Sequence, residues 1–291
     1  MGLPFAFWKS SVPAISYLLD TYGGASSAYS LRKLSASTSN VVRVRRSSDN
    51  AEQDFTDTEI TDGTLTTFTG AGDGFVTIWY DQSGNSFDAA QTSATNQPQI
   101  INSGSLILQN GKPSVYSSGS KNLNTGLVSI GTSGDISLDF FAVINNTSSG
   151  KQEHLLGLSN NTSSTNRVRV FAFANDDSST KSVRLYGGNV VYSSSATGQL
   201  LFNTNYQGGG GAFDSRINGS SLSVNSFSNS GLDIASSSGF MLLNGNSGSP
   251  QLTDINPDSQ GYVQEVIFYL NDQSANRAGI ETNINAEYTI Y

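Results

Sequence analysis

The chain has 291 residues, of which 36% are hydrophobic and only 13% are charged, and its formal net charge is −8. This acidity argues against a nucleic-acid surface, because phosphate contacts need clustered Lys and Arg. The 15 Phe and 12 Tyr are enough to bury a large core, which excludes a disordered chain. Cysteine is absent, so a disulfide framework is excluded as well.

Residues 1–27 are predicted to form an N-terminal docking segment and a short helix. The apolar stretch from Leu3 to Trp8 has no basic region before it and is too brief for a secretory signal or a membrane span. Ser11 can cap a helix that has Pro13 in its first turn. We therefore expect no export signal and no membrane insertion. The first residues either dock on a partner or fold back over their own domain.

Residues 28–291 change from a helical to an alternating pattern, which is typical of β-strands. The dipeptides Asn110-Gly111, Gly187-Gly188 and Asn218-Gly219 stand between apolar runs and can adopt the positive φ angles of hairpin turns. This spacing predicts an all-β domain, a two-sheet antiparallel sandwich with short N-terminal and C-terminal helices. The predicted strands are Val41–Arg45, Phe75–Asp81, Ser105–Leu108, Ile136–Ile144, Arg167–Phe173, Ser182–Tyr186, Leu200–Asn205, Ser221–Val224, Phe240–Leu243 and Tyr262–Leu270.

One basic cluster lies at the end of the first of these strands, which includes Arg43 and Arg45 and is followed directly by Arg46. The arginines alternate with valine and are followed by acidic residues. We expect them to form internal ion pairs with Asp49, Glu52 or Asp54 and not a binding patch.

The last strand is followed by a predicted helix. Asn271 or Asp272 can cap this helix, and Ile280, Ile284 and Tyr288 would share one of its faces at a spacing of four residues. A final strand followed by a terminal helix resembles the end of concanavalin A-like and laminin-G-like jelly rolls.

Two further segments resemble a known family. Residues 28–34 read Ala-Tyr-Ser-Leu-Arg-Lys-Leu, and residues 72–85 form an alternating strand that ends in Ile-Trp-Tyr-Asp-Gln-Ser-Gly-Asn. They resemble the catalytic domain of fungal-type α-L-arabinofuranosidase B and related jelly-roll modules of bacteriophage virion proteins. The resemblance implies a concanavalin A-like jelly roll. Within it, alternation puts Trp79 and Asp81 on one strand face and Tyr80 on the other, with Asp81 placed to cap the following turn.

The same resemblance implies a Glu nucleophile in a mid-chain strand and an acid/base Asp late in the domain. Glycoside hydrolysis normally needs two such carboxyl groups on either side of the sugar bond. The matching positions here are Ala174 and Asn246. Neither side chain can exchange a proton at neutral pH, so we expect no catalytic residues and no hydrolysis. The alternative is that Asp176 and Asp177 act as stand-in carboxylates.

A carbohydrate site is predicted from polar side chains at loops or strand ends. Jelly-roll lectins hold sugars through amides or carboxylates together with an aromatic face, because a sugar ring has polar edges and an apolar plane. The candidates are Asp176, Asp177, Asn203, Asn205, Tyr206 and Asn246.

A calcium site is the one cofactor site that the sequence suggests. Asp254, Asn256 and Asp258, followed by Glu265, have the oxygen spacing of a calcium loop at positions 1, 3, 5 and 12. The sixth position is Ser259 where such loops have Gly, and Glu265 lies in a predicted strand. The alternative is a solvated, turn-forming loop without metal.

Three functions remain open. The favoured one is a non-catalytic structural or spike/receptor-binding protein on the virion surface of a bacteriophage, made in the host cytoplasm. Its partners would be other virion proteins, further copies of itself in a homo-oligomer, and host cell-surface glycan. The alternatives are an α-L-arabinofuranosidase-type glycoside hydrolase and a bacterial lectin or adhesin.

Overall fold

The computed structural model of the protein describes residues 16–126, 128–129, 137–147, 154–159, 169–177, 180–186, 190–194, 196–208, 213–226, 237–245 and 260–291. Its helices are α1 (Leu18–Thr21), α2 (Asp57–Thr61), α3 (Thr64–Thr69) and α4 (Arg277–Tyr288), with a 3-10 turn at Ala94–Asn96. Its strands are β1 (Ser27–Ser30), β2 (Val42–Arg46), β3 (Glu52–Phe55), β4 (Gly74–Trp79), β5 (Ala89–Ala90), β6 (Gln99–Asn102), β7 (Ser105–Leu106), β8 (Leu108–Gln109), β9 (Lys112–Pro113), β10 (Val115–Ser118), β11 (Leu123–Asn124), β12 (Val128–Ser129), β13 (Leu138–Asn146), β14 (His154–Ser159), β15 (Arg169–Asp177), β16 (Thr180–Tyr186), β17 (Val190–Ser194), β18 (Leu200–Tyr206), β19 (Phe213–Ile217), β20 (Ser220–Ser221), β21 (Val224–Ser226), β22 (Ser237–Gly245) and β23 (Gln260–Tyr269).

These strands pair antiparallel in two layers. The first layer has the order β20-β19-β18-β13-β23-β1. The second has the order β3-β2-β4-β5-β11-β22-β14-β15-β16-β17-β21. Strands β6 and β10 connect the two layers, because β6 pairs with β4 and with β10, and β10 pairs with β23. The predicted two-sheet antiparallel sandwich is therefore confirmed.

The main core lies between the layers and is rich in aromatic side chains. Phe240 of the second layer packs on Phe268 of the first, with ring centroids 4.9 Å apart. Strand β13 is buried on both faces, since Phe140 belongs to this core while Phe141 belongs to a second core on the outer side of the sheet. Burial on both faces explains why β13 reads as a continuous apolar run.

The second core is covered by α4, whose apolar face is the predicted one. Ile280, Ile284 and Tyr288 are all buried there, which confirms the terminal helix. The helix begins at Arg277, with Asn276 as its N-cap, so the predicted cap at Asn271 or Asp272 is wrong. The Asp272 carboxylate does not cap the helix and instead accepts a hydrogen bond from the Ser274 backbone N–H at 2.9 Å. Within the described part of the chain, no helix is long and apolar enough to cross a membrane.

Two short helices between β3 and β4 were missing from the predicted elements. The first has a capping box: the Thr56 hydroxyl accepts from the Glu59 N–H, and the Glu59 carboxylate accepts from the Thr56 N–H. This pair was visible in the sequence as Thr-x-x-Glu.

Two of the predicted hairpin turns are confirmed by positive φ angles at both central residues. These angles are 49° and 75° at Asn110 and Gly111, and 52° and 73° at Asn218 and Gly219. The dipeptide Gly187-Gly188 lies outside the described residues.

The basic cluster forms internal contacts, as expected. Arg43 pairs with Asp54 at 2.6 Å, and Arg46 pairs with Asp49 at 2.7 Å. Arg45 is buried, and its guanidinium donates to the Gln97 side chain at 2.7 Å.

The resemblance segment that ends in residues 81–85 ties β4 to β1. Asp81 Oδ1 accepts from the backbone N–H groups of Ala28 at 2.8 Å and Ser83 at 2.9 Å. Its Oδ2 accepts from the Ser83 hydroxyl at 2.7 Å and the Phe87 N–H at 3.0 Å. Asp81 therefore caps the turn as predicted, and both of its oxygens are occupied by the protein itself.

Gln82 joins the two resemblance segments through its buried side-chain amide. Its Oε1 accepts from the Leu34 N–H at 2.7 Å, and its Nε2 donates to the carbonyls of Ser30 and Arg32, each at 3.0 Å. These contacts hold residues 30–34 against the turn. The two segments are thus parts of a single structural junction.

Replacing Gln82 with leucine is expected to lower the free energy of unfolding by about 2 to 3 kcal/mol, because buried backbone groups lose their hydrogen-bond partners. Chemical denaturation measures this loss. The matched control is Gln53→Leu on β3, where the side chain is exposed and we expect a change within about 0.5 kcal/mol. Equal losses in the two variants would show that Gln82 does not hold the junction.

Candidate functional site

A groove with polar walls runs beside β5 and β11 and has a volume of about 460 Å³. We name it the polar groove. Its lining residues are Asp88, Ala90, Gln91, Thr92, Asn96, Asn122, Asn124, Thr125 and Gly126. Most of these carry an amide or a hydroxyl, so the groove can both donate and accept hydrogen bonds.

Strand alternation explains why two amides face the groove. Asn122 and Asn124 flank Leu123, whose side chain is fully buried in the main core. Since successive side chains of a strand point to opposite faces, the two amides project from the other side. β11 is held in place because Asn124 pairs with Ala90 of β5 and Leu123 pairs with Leu242 of β22.

The groove amides are fixed by hydrogen bonds to one another. Asn122 Oδ1 accepts from Gln91 Nε2 at 3.0 Å and from Asn124 Nδ2 at 3.2 Å. Gln91 Oε1 accepts from the Ser93 N–H at 3.0 Å, and Asn124 Oδ1 accepts from the Gly126 N–H at 3.0 Å. Side chains fixed in this way lose little conformational entropy when a ligand binds.

Asp88 supplies the carboxylate of the polar groove. Its Oδ1 accepts from the Asp81 N–H at 2.9 Å, and no hydrogen bond from another described residue reaches Oδ2. Among the described residues that line the groove, Asp88 is the only acid. The neighbouring Asp81 carboxylate is occupied by four hydrogen bonds. This arrangement can bind hydroxyl groups, but it does not offer the two facing carboxyl groups that hydrolysis uses.

Three residues predicted at loops or strand ends as sugar contacts lie away from the polar groove and are buried in a strand. Asn203, Asn205 and Tyr206 are part of β18 and are at most 1% exposed. β18 is flanked by β13 and β19, and α4 covers the outer side of its sheet. Tyr206 faces the main core, where it stacks on Phe213 with centroids 4.5 Å apart.

The two buried asparagines contact a buried acid on β13. Asp139 accepts from Asn203 Nδ2 and from Asn205 Nδ2, the latter at 2.9 Å. Asn205 Nδ2 also donates to Asp272 at 2.8 Å, which links the cluster to the segment before α4. These amides therefore support the helix and are closed off from solvent.

The remaining predicted site residues fall in less completely described parts of the chain. Asp176 and Asp177 end β15, where the structure describes their backbone. Ala174, at the position of the implied nucleophile, lies in the same strand opposite Ser182. The other candidates lie outside the described residues, and they are Asn246, Asp254, Asn256 and Asp258.

Glu265, one of the expected calcium ligands, is not available to bind a cation. The Glu265 carboxylate is buried in an ion pair with Arg32, whose Nε lies 2.7 Å from Oε2, and it is not free to bind a cation. Within the described ranges, no group of three His, Asp or Glu side chains is arranged to hold a metal. A site built from Asp254, Asn256 and Asp258 alone stays a prediction.

The polar groove itself was not predicted from the sequence. The available signal was the Asn-Leu-Asn alternation at residues 122–124, which places two amides on one strand face. The strand is too short to stand out, because only two of its residues pair with neighbours.

No family model matches the chain, and no curated protein matches it. Among solved structures, a GH54 α-L-arabinofuranosidase soaked with a cyclic sulfate inhibitor is 17% identical, with a TM-score of 0.60 over 90% of this chain and 62% of that chain. An arabinofuranosidase complexed with arabinofuranosyl-alpha-1,2-xylobiose is 18% identical, with a TM-score of 0.58 and the same coverage.

The chain spans less than two thirds of the length of these similar structures. At this level of identity the likeness concerns the fold, because one fold can carry many functions. The chain therefore has the concanavalin A-like jelly-roll fold of the arabinofuranosidase B catalytic domain.

Proposed function

We propose that this protein binds carbohydrate in the polar groove and does not cleave it. The main support for this proposal is the set of hydrogen-bonded side-chain amides of Gln91, Asn122 and Asn124. They line the same groove as Asp88, whose Oδ2 accepts no hydrogen bond from another described residue. Such groups match the alternating donors and acceptors of sugar hydroxyls. The fold likeness to enzymes solved with arabinofuranosyl ligands supports the same class of ligand.

Hydrolysis is not expected of this groove, because it would need a second carboxyl group. The positions that the resemblance assigns to the nucleophile and the acid/base hold Ala174 and Asn246. In the polar groove, Asp88 is the single acid among the described lining residues. One carboxylate cannot both protonate the leaving group and attack the sugar, so a bound glycan would stay intact.

The biological setting we propose is the surface of a bacteriophage virion. Its support is the resemblance of residues 28–34 and 72–85 to phage jelly-roll modules. The protein would assemble with itself and with other virion proteins, and would contact host glycan. A homo-oligomer would present several grooves at once, which raises avidity without new contacts. A bacterial lectin would use the same groove.

A glycan array combined with a hydrolysis assay tests the function. We expect binding with a dissociation constant of about 1 mM per groove, because no aromatic side chain is among the described lining residues. We also expect no release of 4-nitrophenol from 4-nitrophenyl α-L-arabinofuranoside. Thr92→Trp should fill the groove and abolish binding, whereas Thr58→Trp on the exposed side of α2 should not. Turnover that disappears in Asp176→Asn would favour the arabinofuranosidase instead.

A further inference from the structure

A second depression shares the lining residue Asp88 with the polar groove. It has a volume of about 310 Å³ and is lined by residues 37–40, Tyr80 and Asp81, among others. We name it the loop depression. Asp88 lines both spaces and is the one residue that their described linings share. Each volume reaches the lower part of the range of small-ligand pockets, about 300 to 1,000 Å³.

Tyr80 lines the loop depression, whereas no aromatic residue is among the described residues that line the polar groove. The Tyr80 phenol donates to Asp54 Oδ1 at 2.7 Å, and Asp54 is itself held by the Arg43 guanidinium through bonds of 2.6 and 2.9 Å. Burial, followed by the hydrogen bond to Asp54, raises the pKa of Tyr80 to about 12. The phenol thus stays a donor near neutral pH, and the ring is fixed before a ligand arrives.

The charge of the two spaces limits the kind of sugar they can accept. Asp81 and Asp88 are the acids among their described lining residues, and none of these lining residues is Lys or Arg. Carboxylates accept hydrogen bonds from neutral hydroxyls but repel other carboxylates. Uronic and sialic acids would therefore be disfavoured in both spaces.

We propose that the polar groove and the loop depression form one extended site for an uncharged oligosaccharide of at least two rings. This inference rests on the proposed function. One ring lies against the groove amides, the next passes Asp88, and the chain continues over the apolar plane of Tyr80. Asp88 selects uncharged sugars at the point where the two spaces join.

The test uses an array of neutral and uronic acid glycans, each type printed as one-, two-, three- and four-ring chains. The full chain is compared with Thr92→Trp, which fills the polar groove, and Ser39→Trp, which fills the loop depression; both positions are exposed. Thr58→Trp is the matched control. Asp88→Asn keeps an oxygen for the Asp81 N–H and removes the charge.

The full chain should bind three-ring neutral glycans at least about tenfold more tightly than single rings, equivalent to about 1.4 kcal/mol. Ser39→Trp should remove this gain and leave single-ring binding unchanged, while Thr92→Trp should remove all binding. Asp88→Asn should bring uronic acid chains to measurable binding. Binding that is independent of length, or a Ser39→Trp variant equal to the full chain, would overturn the extended site and leave the proposed function standing. Absence of binding to every glycan would overturn both.

Discussion

Replacing Glu265 with alanine is expected to lower the free energy of unfolding by about 3 to 5 kcal/mol, the usual cost of removing one partner of a buried ion pair. The Glu265 side chain is 1% exposed, and both of its oxygens accept from Arg32, at 2.7 and 2.9 Å. The hydroxyls of Ser30 and Tyr288 also contact Oε2, at 2.8 and 3.2 Å. The substitution leaves a guanidinium and two hydroxyls without this partner in a largely closed space.

The matched control for this prediction is the exposed pair of Lys112 and Glu287, whose atoms lie 2.7 Å apart. Its side chains are 40% and 32% exposed, so Glu287→Ala should cost less than about 1 kcal/mol. Urea denaturation of the two variants and the unchanged chain gives both numbers. If Glu265→Ala loses no more than Glu287→Ala, the buried junction of β1, β23 and α4 is not a main source of stability.

The free energy of unfolding is expected to fall by up to about 4 kcal/mol as the pH rises from about 4 to 7, because the Asp139 carboxyl holds its proton more tightly in the folded chain than in the unfolded chain. Burial raises the pKa of Asp139 to about 7, against the lowering effect of its bonds to Asn205 and Asn203. In the unfolded chain an Asp loses its proton near pH 4. Between these values the folded state binds a proton that the unfolded state has lost, so each rise in pH favours unfolding; above pH 7 the effect is complete.

The Asp139→Asn variant should lose this pH dependence, whatever its stability at any one pH. The measurement is the free energy of unfolding of both proteins at several pH values between 4.5 and 8. The slopes of the two curves against pH should differ by up to about 1.4 kcal/mol per pH unit. Asp54 and Asp272 have lowered pKa values, from their bonds to Arg43 and to the Ser274 backbone, and so act below this window. Burial raises the pKa of Asp88 and of Glu281, and this adds a pH dependence that both proteins share. Parallel pH curves would contradict a raised pKa at Asp139.

The sequence was informative where a pattern was long or carried by side chains of one type. The apolar run of β13 and the spacing of Ile280, Ile284 and Tyr288 were sufficient to predict a buried strand and a packed helix. Strands such as β5 and β11 were missed because they have two residues each, and their strand geometry depends on partners far away in the chain. Helix α2 was missed although its capping box was present in the sequence.

The candidate site was harder to predict, for two physical reasons. Polar residues at loops or strand ends are typical of sugar sites in jelly rolls, which suggested a site that includes Asn203 and Asn205. Here α4 covers that face, and the buried Asp139 provides the partner that their amides need. The polar groove in turn arises only when residues 88–92 and 122–126 meet through the pairing of β5 with β11.

A crystal of the protein soaked with the neutral trisaccharide that binds best on the array tests the central claim most directly. We predict density for an intact trisaccharide in the polar groove, with a ring within hydrogen-bond distance of Asn124 and Asp88 and a further ring over Tyr80. Density in another part of the molecule, or a sugar cleaved between rings, would contradict a binding site without catalysis.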